Sequence, residues 1–312
     1  MPVLSKATSA NGVQPHTPSA LTDLGGFFTN AIPTTELVES YVYVCAYGRN
    51  RCGKTTLACE FPKPLLLVSL EPEENGGATS VANVPGITLE RVRHFSLKGR
   101  DGSLERVYGT QKFVGMAEQL KKSNPFKTVV IDGAVSLQDI CLCEIAGLTK
   151  VPEMLKWGGF PEGTYQLRAE KLRESLRPWL ELRCNIVVLA QEKDHAPPPP
   201  DRGKHKLLET MQQGSFMAPA IGDTNALWLQ NHCGYILHMY EDEVVEYKDD
   251  PNAGRLEIRT GKRQRFLRLL YHPQYAAGGR WSYGKDVPEF VTAPTPTGLY
   301  RAMVQYIPSL KV

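Results

Sequence analysis

No stretch of this chain is apolar for long enough to cross a bilayer. The longest such run, Pro64–Leu70, is far shorter than the roughly 20 residues a spanning helix needs. The N-terminus also lacks the basic, apolar and small-residue regions of a signal peptide. The expectation is a soluble protein of the cytoplasm with no membrane partner. Cysteine is sparse, with seven scattered residues, and the closest two, Cys141 and Cys143, have no second pair with which to hold zinc. That excludes a disulfide framework and suits a reducing compartment. Of the seven histidines only His232 and His238 come near a ligand spacing, which argues against a metal site built on histidine. Charge of one sign is missing as well. The 36 basic and 33 acidic residues leave a net charge of +3, so an anionic partner has to be met by a local basic patch. There is no internal repeat, which excludes a solenoid.

What is present is an alternation of two patterns. Residues 1–23, rich in Ser, Thr, Ala, Pro and Asn, read as a flexible tail. Apolar, β-branched runs follow at Tyr41–Tyr47, Leu65–Leu70, Thr128–Ile131 and Ile186–Ala190. Stretches of helical spacing alternate with them at Lys54–Phe61, Thr110–Ser123, Leu137–Leu148 and Tyr165–Leu182. Short apolar strands between helices imply an α/β core, a mostly parallel central sheet flanked by helices. Beyond residue 230 the runs Cys233–Tyr240, Val244–Lys248 and Arg255–Leu270 read as hairpin-forming antiparallel strands added to one edge. The expected division is a tail over 1–23, a core over 24–275 and a C-terminal extension over 276–312.

The first strand run leads into Gly48-Arg49-Asn50-Arg51-Cys52-Gly53-Lys54-Thr55-Thr56, which meets the pattern G-x-x-x-x-G-K-[ST]. A strand before it and a helix after it are the context in which this pattern cradles phosphate. Glycines let backbone N–H groups turn onto the phosphate oxygens. Lys54 would reach the β- and γ-phosphates of ATP, and the Thr55 hydroxyl would bind Mg²⁺. A second strand, Thr128–Ile131, ends in Asp132, at the sheet edge where ligands bind, and this carboxylate would hold the Mg²⁺ through water. One absence here is informative. Gly133 follows Asp132, where many P-loop ATPases carry a glutamate that polarises the attacking water. The base has to come from elsewhere. Glu71 closes the strand Leu65–Leu70 and is the expected base, with Glu73 and Glu74 close behind. Gln191 closes Ile186–Ala190, where a side-chain amide would sense the γ-phosphate.

P-loop, glutamate at the end of the next strand, Asp132 without a following glutamate, and Gln191 at the end of a later strand: this order resembles the core of RecA-like recombinases. Ile221–Leu227 followed by Cys233–His238 is similar to the exit of their second DNA-binding loop. The runs I-D-G-A-V-S-L-Q and T-G-K-R-Q-R look most like phage-encoded AAA-domain nucleotide-binding proteins, a group that includes RecA-like single-strand annealing proteins. The likeness spans about residues 35–270. It implies an ATPase acting on single-stranded DNA in recombination or annealing, stimulated by that DNA and assembled as a homo-oligomer or filament, in the cytoplasm of the host cell if phage-encoded.

The resemblance places two DNA-binding loops at about Thr149–Thr164 and Lys193–Asp223. Lys156, Trp157 and Phe160 in the first, and Arg202, Lys204, Lys206 and Phe216 in the second, supply cations for phosphates and aromatics for bases. It also implies that cations on a late strand, here Lys262, Arg263 and Arg265, reach the ATP of a neighbouring subunit. Phe28-Thr29-Asn30-Ala31 fits the F-x-x-A assembly pattern of eukaryotic RecA homologues. From the residues alone, a motor or loader acting on a protein or on duplex DNA shares the same ATP site. A small-molecule kinase would share it too, though no arginine-rich lid is evident.

Overall fold

The apolar, β-branched runs become the strands of one sheet. The computed structural model describes residues 41–71, 77–93, 95–96, 107–149, 163–195, 216–250, 254–281 and 286–310. Their strands are β1 (Tyr43–Gly48), β2 (Leu65–Ser69), β3 (Ile87–Arg91), β4 (Phe95–Ser96), β5 (Val107–Tyr108), β6 (Thr128–Asp132), β7 (Asn185–His195), β8 (Phe216–Pro219), β9 (Tyr235–Asp250), β10 (Gly254–Arg268), β11 (Gly278–Gly279) and β12 (Phe290–Ala293). The helices are α1 (Lys54–Ala58), α2 (Gly109–Lys122), α3 (Ala134–Ala146), α4 (Thr164–Leu180), α5 (Asp223–His232) and α6 (Pro296–Val304). The sheet runs β12-β10-β9-β1-β7-β6-β2-β3, with β8 paired to β7 and β11 to β9, while β4 and β5 form a separate pair. From β9 through β3 every pairing is parallel. β10, β11 and β12 are antiparallel additions.

Strands this apolar are stable only if both faces are covered. Cys45, Tyr47, Val129, Ile131, Ile186 and Val188 turn one way, onto Phe113 of α2, Ile140 of α3, and Leu176 and Trp179 of α4. Their neighbours Val44, Ala46, Val130, Val187 and Leu189 turn the other way, onto Leu57 of α1 and Leu299 and Met303 of α6. Two-residue alternation thus distributes each strand between two cores.

Three features differ from the sequence expectations. Helix α1 stops at Ala58 rather than reaching Phe61, because Pro62 and Pro64 follow and the residues before a proline are driven out of helical geometry. The expected strands Cys233–Tyr240 and Val244–Lys248 are one strand, β9. Glu241, Asp242 and Glu243 between them carry charge but contain no glycine, proline or asparagine to break the extended backbone. The first part of β9 is also a parallel neighbour of β1, from Val44↔Tyr235 to Gly48↔Met239, and only its continuation forms the antiparallel ribbon with β10. In the C-terminal stretch, β12 pairs with β10, and Leu299 and Met303 of α6 lie in the core that holds Leu57. The described residues all lie in one unit, Ser40–Val312. The tail 1–23 and the F-x-x-A segment lie outside the described residues.

Candidate nucleotide site

The site forms where β1, β7, β6 and β2 end together. After Gly48 the chain turns through Arg51 at φ 64° and Gly53 at φ 102°, left-handed values that bring Lys54 and Thr55 to the start of α1. Glycine suits φ 102°, where a side chain would be strained, and a Cβ at Gly53 would also lie 2.7 Å from Pro296 Cγ. Gly48 is required for another reason. A Cβ there would lie 1.9 Å from the carbonyl oxygen of Met239 on β9. Lys54 Nζ donates to the carbonyls of Gly48 (2.9 Å) and Arg49 (2.6 Å), so the ammonium sits inside the loop's curve. Asn50 and Arg51 are exposed, Cys52 is buried and Thr56 is half-buried. With α1 only five residues long, the loop N–H groups and Lys54 carry more of the attraction for an anion than the helix dipole does.

The Thr55 hydroxyl donates to Asp132 Oδ2 at 2.8 Å, joining two segments 77 residues apart. These are the oxygens that would hold Mg²⁺, and their chemistry, a hydroxyl beside a carboxylate, suits a hard cation. β2 does not adjoin β1. β7 and β6 lie between them. Glu71 still reaches the site, because Ser69 pairs with Asp132 and Glu71 packs against the turn at Gly133, whose own Cβ would lie 3.0 Å from Glu71 Cγ. Gly133, at φ 105°, leaves room for the carboxylate that the missing glutamate would have supplied from the same turn. Glu71 Oε2 accepts from the N–H of Gly77 at 3.3 Å. A Cβ at Gly77 would lie 2.5 Å from Thr55 Oγ1 and 3.3 Å from Asp132 Oδ2. Gly77 is therefore part of the site, and sequence reasoning missed it; the pair Gly76-Gly77 soon after Glu73 and Glu74 in the sequence was the only signal. Glu73 and Glu74 lie outside the described residues.

Burial pushes the Asp132 carboxyl from its ordinary 3.8 up to about 6, and the Glu71 charge adds to this. The Thr55 hydrogen bond and the Lys54 ammonium act the other way. The folded chain therefore binds this proton more tightly than the unfolded chain. The stability it contributes is full below about pH 4 and is lost as pH rises to about 6, roughly 3 kcal/mol in all. Asp132→Asn is thus expected to melt several degrees above the parent at pH 7 and to lose that advantage near pH 4. Equal melting temperatures at every pH would contradict the buried charge. The Mg²⁺-dependent part of ATP affinity is expected to fall as pH drops below about 6, where Asp132 takes up its proton.

Gln191 lies opposite Gly48 in the β1–β7 register, half-buried. Its neighbour Glu192, which sequence reasoning passed over, is the better-connected residue. Glu192 Oε1 accepts from Arg49 Nε at 2.8 Å and Oε2 lies 2.9 Å from His238 Nε2. Burial alone would push the Glu192 carboxyl up, but the hydrogen bonds from His238 and Arg49 outweigh it and hold it below the usual carboxylate range. His238 is stacked between Tyr47 and Tyr275, with ring centroids 4.8 and 4.7 Å away. Its Nδ1 is buried without a hydrogen-bond partner among the described residues. A cavity of about 440 Å³ opens beside this group, lined by Arg49, His238, Tyr240, Glu241, Asp242 and Tyr275 among others.

Arg265, expected to act in trans, contacts its own P-loop. Its Nε donates to the Cys52 carbonyl of that loop (3.2 Å) and its Nη1 to Pro294 O (2.7 Å), because only β9 separates β10 from the β1 strand that leads into the loop. Lys262 and Arg263 are exposed at a bulge in β10, next to Gly261 at φ 70°. Of the residues expected to meet DNA, Lys156, Trp157, Phe160, Arg202, Lys204 and Lys206 lie outside the described residues, and Phe216 is described only as the backbone start of β8. No helix among the described residues is long and apolar enough to cross a membrane.

Parallel order, P-loop and the Thr55–Asp132 pair together define a P-loop ATPase core. The family model AAA_24, described as an AAA domain, matches residues 40–281, and the chain belongs to that family. No curated protein matches the chain. Among solved structures it is similar to a KaiC-like protein from the hyperthermophilic archaeon Pyrococcus horikoshii OT3. That match has 11% identity and a TM-score of 0.37, and covers 81% of this chain and 89% of the other. It is also similar to the flagellar accessory protein FlaH of Methanocaldococcus jannaschii, at 6% identity and a TM-score of 0.36, covering 83% and 89%.

Proposed function

We propose that the protein binds and hydrolyses ATP with Mg²⁺ at Gly48–Thr56 and couples turnover to single-stranded DNA, in recombination or strand annealing, as a homo-oligomer. The observation that carries the ATP site is the 2.8 Å contact between Thr55 and Asp132, with Glu71 against the same turn. Lys54 and Thr55 would take the phosphates and the metal, Asp132 would help to hold the metal, Glu71 would accept the proton of the attacking water, and Gln191 would sense the γ-phosphate. Bound Mg²⁺ would neutralise charge on the phosphate oxygens.

The DNA half of the reading is supported by the cations and aromatics in the segments after α3 and after β7, the second of which continues the strand that carries Gln191. It predicts that ATP turnover rises with single-stranded DNA, and that the stimulation weakens sharply between about 50 and 200 mM salt as counterion release is lost. Turnover indifferent to any nucleic acid, with no shift in a mobility assay, rejects it.

A second reading, a motor or loader acting on a protein partner, is favoured by one observation. The densest basic cluster of the sequence does not stand free. Arg263 is paired in register with Glu243 and Arg265 with Glu241, so acidic residues of β9 offset these two cations of β10. Stimulation by a protein rather than by DNA would select this reading.

A further inference from the structure

Arg49 is the second residue of the phosphate loop, yet its guanidinium points sideways to Glu192 rather than along the loop. The two partners differ in exposure. The Arg49 side chain is 82% exposed, the Glu192 side chain 9%, and the His238 side chain behind it 3%. An exposed cation moves at little expense, whereas a buried carboxylate that loses one of two donors is left under-compensated. Arg49 also borders the cavity beside His238, so it has room to swing.

We propose that Glu192, backed by His238, is a positioning residue for the nucleotide site: it holds the Arg49 guanidinium at the end of β7, so that a triphosphate gains Arg49 only by drawing it away from this carboxylate. The inference rests on the reading of Gly48–Thr56 as an ATP site. Glu192 tensions that site, weakening the nucleotide it helps to recognise. It does so at the root of the β7–β8 pair, where Glu192 faces Pro219. The nucleotide's hold on Arg49 is thereby coupled to the strand that also presents Gln191.

The test is a double-mutant cycle on the full-length chain, read as the equilibrium dissociation constant of a fluorescent non-hydrolysable ATP analogue with Mg²⁺. Glu192→Gln leaves a neutral amide that does not need the cation. It is expected to tighten binding about tenfold, the worth of one charge-assisted hydrogen bond. In an Arg49→Ala background the same change is expected to shift binding less than about twofold, and Arg49→Lys should restore part of the coupling. His238→Phe keeps the ring stack but removes the second donor. Glu192 then holds Arg49 harder and binding should weaken, again only when Arg49 is present. This opposite sign also serves if Glu192→Gln fails to fold. Equal shifts with and without Arg49 would mean simple repulsion between Glu192 and phosphate, and would overturn the proposal, as would no shift in either background. A folded parent without Mg²⁺-dependent affinity for the analogue overturns the ATP-site reading, and this inference with it.

Discussion

Lys54→Ala is expected to abolish ATP turnover and to weaken ATP binding by between about a hundredfold and ten-thousandfold. The ammonium lies within hydrogen-bonding distance of two carbonyls of its own loop, 2.9 and 2.6 Å away, at the centre of the curve a β,γ-phosphate pair would fill. Each charge-assisted hydrogen bond to a phosphate oxygen is worth roughly 1.5–3 kcal/mol, so two of them account for that range. The fold is expected to survive. Leu57 and Ala58, not Lys54, bury α1, and of the freed carbonyls the Arg49 one is exposed. Equilibrium binding by fluorescence, steady-state phosphate release and a thermal melt together separate loss of function from loss of structure. A variant that folds and still turns over ATP within tenfold of the parent would show that the phosphates are not held here.

Glu71→Gln is expected to keep ATP binding and to slow hydrolysis by about 10²–10⁴, the usual worth of a general base. Glutamine has the shape of glutamate and can still accept the Gly77 N–H, so the packing of this strand end against Gly133 and Thr55 persists. What disappears is the basic oxygen. A corollary belongs to this geometry alone. The Glu71 charge is one of the causes that raise the Asp132 carboxyl, so its removal should move the acid limb of Mg²⁺-dependent ATP binding to lower pH. Single-turnover phosphate release and a pH series of binding measure both effects. Normal hydrolysis by the variant would transfer the role of base to Glu73 or Glu74.

Much of this site was legible in the sequence because its signals are local. Lys54 and Thr55 are neighbours, and a strand ending in Asp132 or Gln191 announces itself in five or six residues. Parallel pairing then brings such strand ends to one edge, whatever the order of the strands. The residues that sequence reasoning missed make contacts of another kind. Glu192 meets Arg49 across 143 positions and His238 across 46. Gly77 matters through the absence of a side chain beside Thr55 and Asp132. No local pattern marks Glu192, and only the pair Gly76-Gly77 hints at the other.

By itself the sequence determined the alternation of strand and helix, the phosphate loop and the carboxylates available to it, because hydrophobic periodicity and glycine stereochemistry act over a few residues. Only the tertiary structure decided that β7 and β6 lie between β1 and β2, that β9 is one long strand, that Arg263 and Arg265 of β10 face Glu243 and Glu241, and that Arg265 lies on its own loop. Those outcomes depend on register between strands far apart in the chain. One residue of slip would turn every side chain to the opposite face, so the choice belongs to the packed sheet as a whole.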